Sequence, residues 1–232
     1  MATATGTGSR SYPRVIAATL LNPNDRYWPH CQAQAKGWAD EHVILEDANG
    51  EAWGDESVWR ERLWLQALAA CRRDDWIFIL DSDFVLTFDP HELTATDSAT
   101  AWPFALYDLW DPAHYRSDRF WRAHAVPRYW MFRADAAPDP PIFGPRGIHS
   151  GHAPADFPYT ANLRVPDDYA ILHLGWLDPD IRREKYDRYH SVWYSLSVDE
   201  RAHVDSILDP APNLVELPIA MQRKLCLKPP AY

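Results

Sequence analysis

With 232 residues the chain has room for one α/β domain with a sizeable core, or two small ones at most, and a single domain is expected. Its 33 acidic against 23 basic side chains leave a formal net charge of −10, which argues against a general binder of phosphate backbones, although a local basic groove would escape this test. The opening MATATGTGSRS lacks the apolar core of a signal peptide and no later run approaches the roughly 20 apolar residues of a membrane span, so a soluble, cytoplasmic protein is expected.

Residues 1–12 read as a disordered tail. RVIAATLL (14–21) then reads as a buried strand, and NPNDRYWPHCQAQAKGWAD as a loop leading into a helix. EHVILEDANG supplies a second strand that ends at Glu46-Asp47, with a turn at Asn49-Gly50. The segment from Asp55 to Arg73 is the clearest helix. Acidic residues open it, Arg72 and Arg73 close it, and Trp59, Leu63, Ala67, Ala70 and Cys71 are expected on one face. WIFIL (76–80) follows as a strand covered on both sides. This alternation predicts parallel strands joined by right-handed helical crossovers.

Beyond residue 95 the pattern changes. TAWPFALYDLW and RYWMFRA read as strands around a polar, aromatic stretch, and a loop of low periodicity covers 138–158. YAILHLGWL gives a further strand. Asp178-Pro179 then caps a helix over DIRREKYDRYHSVWYSL. Residues 13–208 are expected to form the domain and 209–232 a Pro-rich extension. The 12 tryptophans suit either a core filled by large aromatics or sugar-stacking surfaces. Cys31, Cys71 and Cys226 are widely spaced and lack a CxxC pattern, so neither a disulfide framework nor a zinc knuckle is indicated.

The chemistry concentrates where WIFIL runs into Asp81-Ser82-Asp83. Aspartate is poor in strands and costly to bury unpaired, so the two carboxylates either face solvent or share a cation. Two carboxylates one residue apart at the end of a strand can hold one hard divalent ion and leave positions for phosphate oxygens. Ligands of open α/β sheets sit beyond the carboxyl ends of strands, where Asp47, Asp81 and Asp83 all fall.

DDWIFILDSDFVL, with the upstream helix VWRERLWLQALAA, resembles the metal-binding segment of GT-A nucleotide-sugar glycosyltransferases, particularly those like family 2. YAILHLGWLDPDIRREKYDRY is similar to their late segment, where a strand-end histidine completes metal binding and a lysine contacts the diphosphate. The likeness spans roughly residues 13 to 195. It implies a three-layer GT-A-like fold with a mostly parallel central sheet and a mixed second half. It also implies Mn²⁺ or Mg²⁺ as cofactor and a nucleoside-diphosphate sugar, such as a UDP-sugar, as donor. By resemblance, Asp81 approaches the ribose and the metal, Asp83 and His173 the metal, Asp47 the nucleobase, and Lys185 the diphosphate. Arg62 is a further candidate for a diphosphate contact, against the plainer reading of an exposed helical arginine. Family-2-like enzymes invert the anomeric carbon and need a base for the acceptor hydroxyl. Relatives often carry a His-Glu pair where this chain has His149-Ser150, which leaves Asp118, His149, His152 and Asp156 as candidates. The acceptor is open among a glycan, a small metabolite, a protein or a modified DNA base.

Two other readings compete. FILDSDFVL also satisfies the hhhhDxDxV pattern of haloacid-dehalogenase-like phosphatases, with Asp81 as nucleophile. That motif usually lies on the first strand, however, whereas a full β-α-β-α precedes it here. A carbohydrate-binding protein with a tryptophan-rich groove is the non-enzymatic alternative.

Overall fold

The computed structural model describes residues 12–53, 56–96, 98–144, 151–161 and 163–225. Its centre is β1 (Val15–Leu21), paired in parallel with β2 (Glu41–Glu46) on one side and β3 (Trp76–Ile79) on the other. Two helices, α1 (Trp28–Ala35) and α2 (Glu56–Ala70), return the chain between these strands and make the parallel pairing possible.

Alternation along the strands divides the apolar side chains between the two sheet faces. Val15, Ala17, Trp76 and Phe78 join Ala35 and Trp38 at the end of α1, whereas Ala18, Ile77 and Ile79 meet Leu63, Trp64 and Ala67 of α2. Both faces are therefore covered, which explains why β3 is apolar at every position.

The remaining strands are β4 (Phe84–Leu86), β5 (Ala101–Asp111), β6 (His114–Arg116), β7 (Arg128–Arg133), β8 (Ala170–His173) and β9 (Leu214–Glu216). The path across the sheet runs β2-β1-β3-β7-β5-β6-β9. Strand β7 enters antiparallel between β3 and β5. The 11-residue β5 shifts register between Trp102 and Pro103, where proline offers no N–H to the ladder. Its first part pairs with β7; its later part pairs in parallel with β8, which is antiparallel to β4. The sheet is therefore mixed, with parallel pairing confined to β2–β1–β3 and β5–β8, less parallel than the sequence suggested.

Helix α2 stops at Ala70 rather than Arg73, because Asp75 accepts the Arg72 N–H at 2.8 Å and turns the chain into β3. Its buried side chains are Arg60, Leu63, Trp64 and Ala67, a stripe rotated from the expected one to bring Trp64 among Phe132, Phe143 and Phe157. Helix α3 (Pro179–Ser191) starts as expected, with the Asp178 carboxylate accepting the Asp180 N–H at 2.8 Å, but gives way to a short 3₁₀ turn at Trp193–Ser195. Residues 209–225 belong to the fold. Strand β9 pairs with β6, and Met221 and Leu225 of α5 (Ile219–Leu225) are buried beside Val85 and Leu172. α4 (Val198–Ser206) is opened by a Ser197/Glu200 capping box.

Eight tryptophans, from Trp38 to Trp176, are buried in the core, so most of the tryptophan content fills volume rather than surface. No helix among the described residues is long and apolar enough to cross a membrane.

Candidate functional site

Strand register builds the site. Phe84 of β4 lies opposite His173 of β8, and Asp108 of β5 lies opposite the same histidine on the other side. The turn Asp81-Ser82-Asp83, closed by the Phe84 N–H on the Asp81 carbonyl at 3.2 Å, is thereby carried next to the end of β8. The Leu174 N–H donates to the Asp83 carbonyl at 2.8 Å and locks the two segments together.

The two carboxylates serve different groups. Asp83 Oδ2 accepts from His173 Nε2 at 3.1 Å and from Lys185 Nζ at 3.2 Å. The other ring nitrogen of His173, Nδ1, lies 2.7 Å from Asp108 Oδ1. Asp81 Oδ1 accepts from Arg60 Nη1 at 2.8 Å, and its Oδ2 lies 3.5 Å from His152 Nε2. Arg60 also grips Glu56 one helical turn earlier, and the His152 ring packs on Trp130 with centroids 3.7 Å apart. Between the aspartates, the Ser82 hydroxyl donates to Asp25 at 2.6 Å.

Gly175, in the 3₁₀ turn Leu174–Trp176, completes the cradle. A Cβ there would overlap the Asp83 carboxylate and the Lys185 ammonium and lie 2.8 Å from His173 Nε2. Only glycine lets these three polar groups converge so closely on the backbone. The Lys185 ammonium also lies 4.4 Å from the centre of the Trp176 ring.

Burial opposes ionisation of both aspartates, but Arg60 and then His152 hold Asp81 below the usual carboxylate range, and His173 and Lys185 do the same for Asp83. Burial pulls His173 down, yet Asp83 and Asp108 outweigh it and raise its pKa to about 9. His152 goes the other way. Its burial exceeds the pull of Asp81, so its pKa falls. Asp25 is pushed up by burial and by the nearby Asp83 charge.

Among the described residues no set of three His, Cys, Asp or Glu side chains converges as a complete metal site. Asp83 Oδ2 and His173 Nε2 nevertheless fit as a pair of ligands. Adjacent ligands of an ion with bonds of about 2.1 Å sit about 3 Å apart, and a carboxylate on the second nitrogen is the usual way a ligating histidine is oriented. Magnesium-like ions commonly take one or two carboxylates and complete their shell with water and phosphate oxygens.

The other sequence candidates fall elsewhere. Asp47 follows β2, and its oxygens accept the N–H groups of Glu51 and Ala52 at 2.8 and 3.0 Å. Arg62 lies over the Trp59 ring at 4.7 Å, not in the cluster. Asp118 pairs with Arg116, itself held between Trp110 and Trp121. Asp156 accepts the Ile142 N–H at 3.2 Å within its loop. His149 lies outside the described residues. The fold thus brings together Asp81, Asp83, His152, His173 and Lys185. Sequence reading missed Arg60, Asp108 and Gly175. Arg60 was legible as a member of the i, i+3, i+4, i+7 stripe with Leu63, Trp64 and Ala67, and Asp108 as a carboxylate inside an apolar strand.

No family model matches this chain, and no curated protein matches it in sequence.

Proposed function

We propose that the protein is a metal-dependent glycosyltransferase that moves a sugar from a nucleoside-diphosphate donor to an acceptor hydroxyl. The observation that carries this reading is the convergence of Asp83, His173 and Lys185 over Gly175, with His173 oriented by Asp108. A carboxylate and a histidine at ligand spacing, beside a cation suited to a diphosphate, support a site for Mn²⁺ or Mg²⁺. The resemblance of both motif segments to GT-A enzymes points the same way.

In this reading Asp83 and His173 hold the ion, and Lys185 steadies the diphosphate. Asp81, fixed by Arg60, faces the ribose, and Asp47 uses its remaining lone pairs towards the base. Bound there, the ion would offset charge on the departing diphosphate. His152 is the base: with Nε2 turned towards Asp81, its Nδ1 can take the acceptor proton. The acceptor oxygen then bonds to the anomeric carbon as the bond to the diphosphate breaks, and that bonding pair leaves with the diphosphate. Attack opposite the leaving group inverts the centre. The phosphatase alternative is weakened because Asp81 Oδ1 already faces the Arg60 guanidinium and Oδ2 the His152 ring, which disfavours a free nucleophile.

The test is a thermal-shift series with UDP, GDP, dTDP and CMP, each with and without Mn²⁺, since a ligand of the native state raises its melting temperature. One nucleotide should give a metal-dependent rise, lost in Asp83→Asn. A panel without response, or an Asp83→Asn protein that responds like the wild type, refutes the reading.

A further inference from the structure

We propose that the cavity lined by the end of β6, the turn after it and the segment leading into β9 is a binding site for an uncharged saccharide. This goes beyond the glycosyltransferase reading and does not rest on it, because the lining belongs neither to the Asp81-Ser82-Asp83 turn nor to the end of β8. The cavity has a volume of about 300 Å³, and its lining includes Arg116, Asp118, Arg119, Phe120, Asp209 and Asn213. That volume lies at the lower end of the range for ligand clefts, roughly 300–1,000 Å³, and leaves room for a sugar ring rather than a long chain.

Strand pairing builds the site. Arg116 of β6 lies opposite Leu214 of β9, and the Ser117 N–H donates to the Asn213 carbonyl at 2.9 Å. The Arg116 side chain, only 1% exposed, donates through Nε to Asp118 at 2.5 Å and through Nη1 to the Ser206 carbonyl at 2.5 Å, with Nη2 3.5 Å from Asp209. Backbone N–H groups of Phe120 and Ala211 hold the same two carboxylates at 3.2 and 2.9 Å. Both acids are therefore fixed before any ligand arrives, and a carboxylate oxygen that accepts one hydrogen bond keeps a second lone pair.

The charges select against ions. Two guanidiniums and two carboxylates leave the lining without net charge, so an anion meets the aspartates and a cation meets the arginines. What remains is unused hydrogen-bonding capacity. Asn213 gives its Nδ2 to the Ser117 carbonyl, and its Oδ1 has no partner among the described residues. Arg119 lies 5.0 Å from the centre of the Phe120 ring and makes no hydrogen bond or ion pair among the described residues. Lone pairs on Asp118, Asp209 and Asn213 call for donors without positive charge, while the Arg119 fork calls for acceptors without negative charge. Hydroxyl groups are both, and a sugar ring carries several in fixed positions.

The experiment is saturation-transfer NMR on the full chain with methyl glucoside, methyl galactoside and methyl N-acetylglucosaminide, without metal or nucleotide. The wild type is compared with Arg119→Ala, which removes an exposed side chain that bonds to nothing else described, and with Asn213→Ala, whose fold is checked by thermal melting because it also loses the bond to Ser117. At least one glycoside should receive saturation, and each substitution should weaken its binding by about tenfold. If Asn213→Ala does not fold, Arg119→Ala decides alone. Absence of saturation from every glycoside, or glycoside binding that ignores Arg119→Ala, overturns the site whatever the nucleotides do. Inorganic phosphate and uridine are run as competing probes; Arg119-dependent binding of either one in place of a glycoside assigns the cavity to an anion or a nucleobase, and the proposal falls.

Discussion

Replacing Gly175 by alanine isolates the cradle from the fold that carries it. Gly175 is buried, and no left-handed φ bars a side chain there, so the obstacle to alanine is what its Cβ would meet. At a compatible backbone position Gly→Ala stabilises by roughly 0.4–1 kcal/mol through the unfolded chain. Here the methyl must displace the Asp83 carboxylate and the Lys185 ammonium, breaking contacts of 3.1 Å to His173 and 3.2 Å to Lys185. Hydrogen bonds to charged groups contribute about 1.5–3 kcal/mol each, to be discounted because Lys185 is partly solvated and the displaced groups regain water. A net loss of about 1–3 kcal/mol follows, or a fall in Tm of roughly 3–10 °C for a chain of this size. The metal-dependent nucleotide response should vanish altogether. Gly144→Ala is the control, since nothing lies within 4 Å of a Cβ there, and it should stay within about 0.5 kcal/mol of the parent. Thermal melting and calorimetric titration with Mn²⁺ and nucleotide read both quantities. A Gly175→Ala protein that melts and binds like the wild type would show that the three groups do not need the glycine to converge.

Asp108→Asn removes the charge that orients His173 while keeping an oxygen at the same place, and should weaken Mn²⁺ binding about 10- to 100-fold in a titration; unchanged affinity would remove His173 from the ligand set. Arg60→Met should destabilise by about 2–3 kcal/mol in urea unfolding, because it takes the guanidinium away from the Asp81 and Glu56 carboxylates, whose side chains are only 24% and 18% exposed. On the same helix Arg62→Met should change stability by less than about 0.5 kcal/mol, and equal effects would show that the burial of Arg60 is immaterial. His42 is lowered to about 4, chiefly by burial and then by Lys36, from the usual 6.5. Its folded state binds fewer protons, so the stabilisation is full above pH 6.5 and drains away as pH falls towards 4. Between pH 7 and 4.5 the wild type should lose about 1–2 kcal/mol more than His42→Asn, allowing for partial exposure, and parallel pH profiles would refute the assignment.

The sequence by itself determined the elements whose signals are local. Val15–Leu21 and Trp76–Ile79 are apolar at nearly every position because both of their faces are covered, and that pattern is visible without knowing what covers them. The Asp178-Pro179 start of α3 is equally local, being a side chain reaching a backbone N–H two residues on. Asp81 and Asp83 were marked by an apolar run ending in charges, and His173 and Lys185 by the segment around them. Tertiary structure decided the rest. The antiparallel entry of β7 between β3 and β5 depends on pairing between distant segments, which no short window encodes. The same holds for the register that sets His173 between Phe84 and Asp108. Asp47 and Asp118 carry the same carboxylate as Asp83, yet one caps a turn and the other holds Arg116, because their strands end among different neighbours. Arg60 and Arg62 differ by two residues, about 200° around a helix, and that angle alone sends one guanidinium to Asp81 and leaves the other over Trp59.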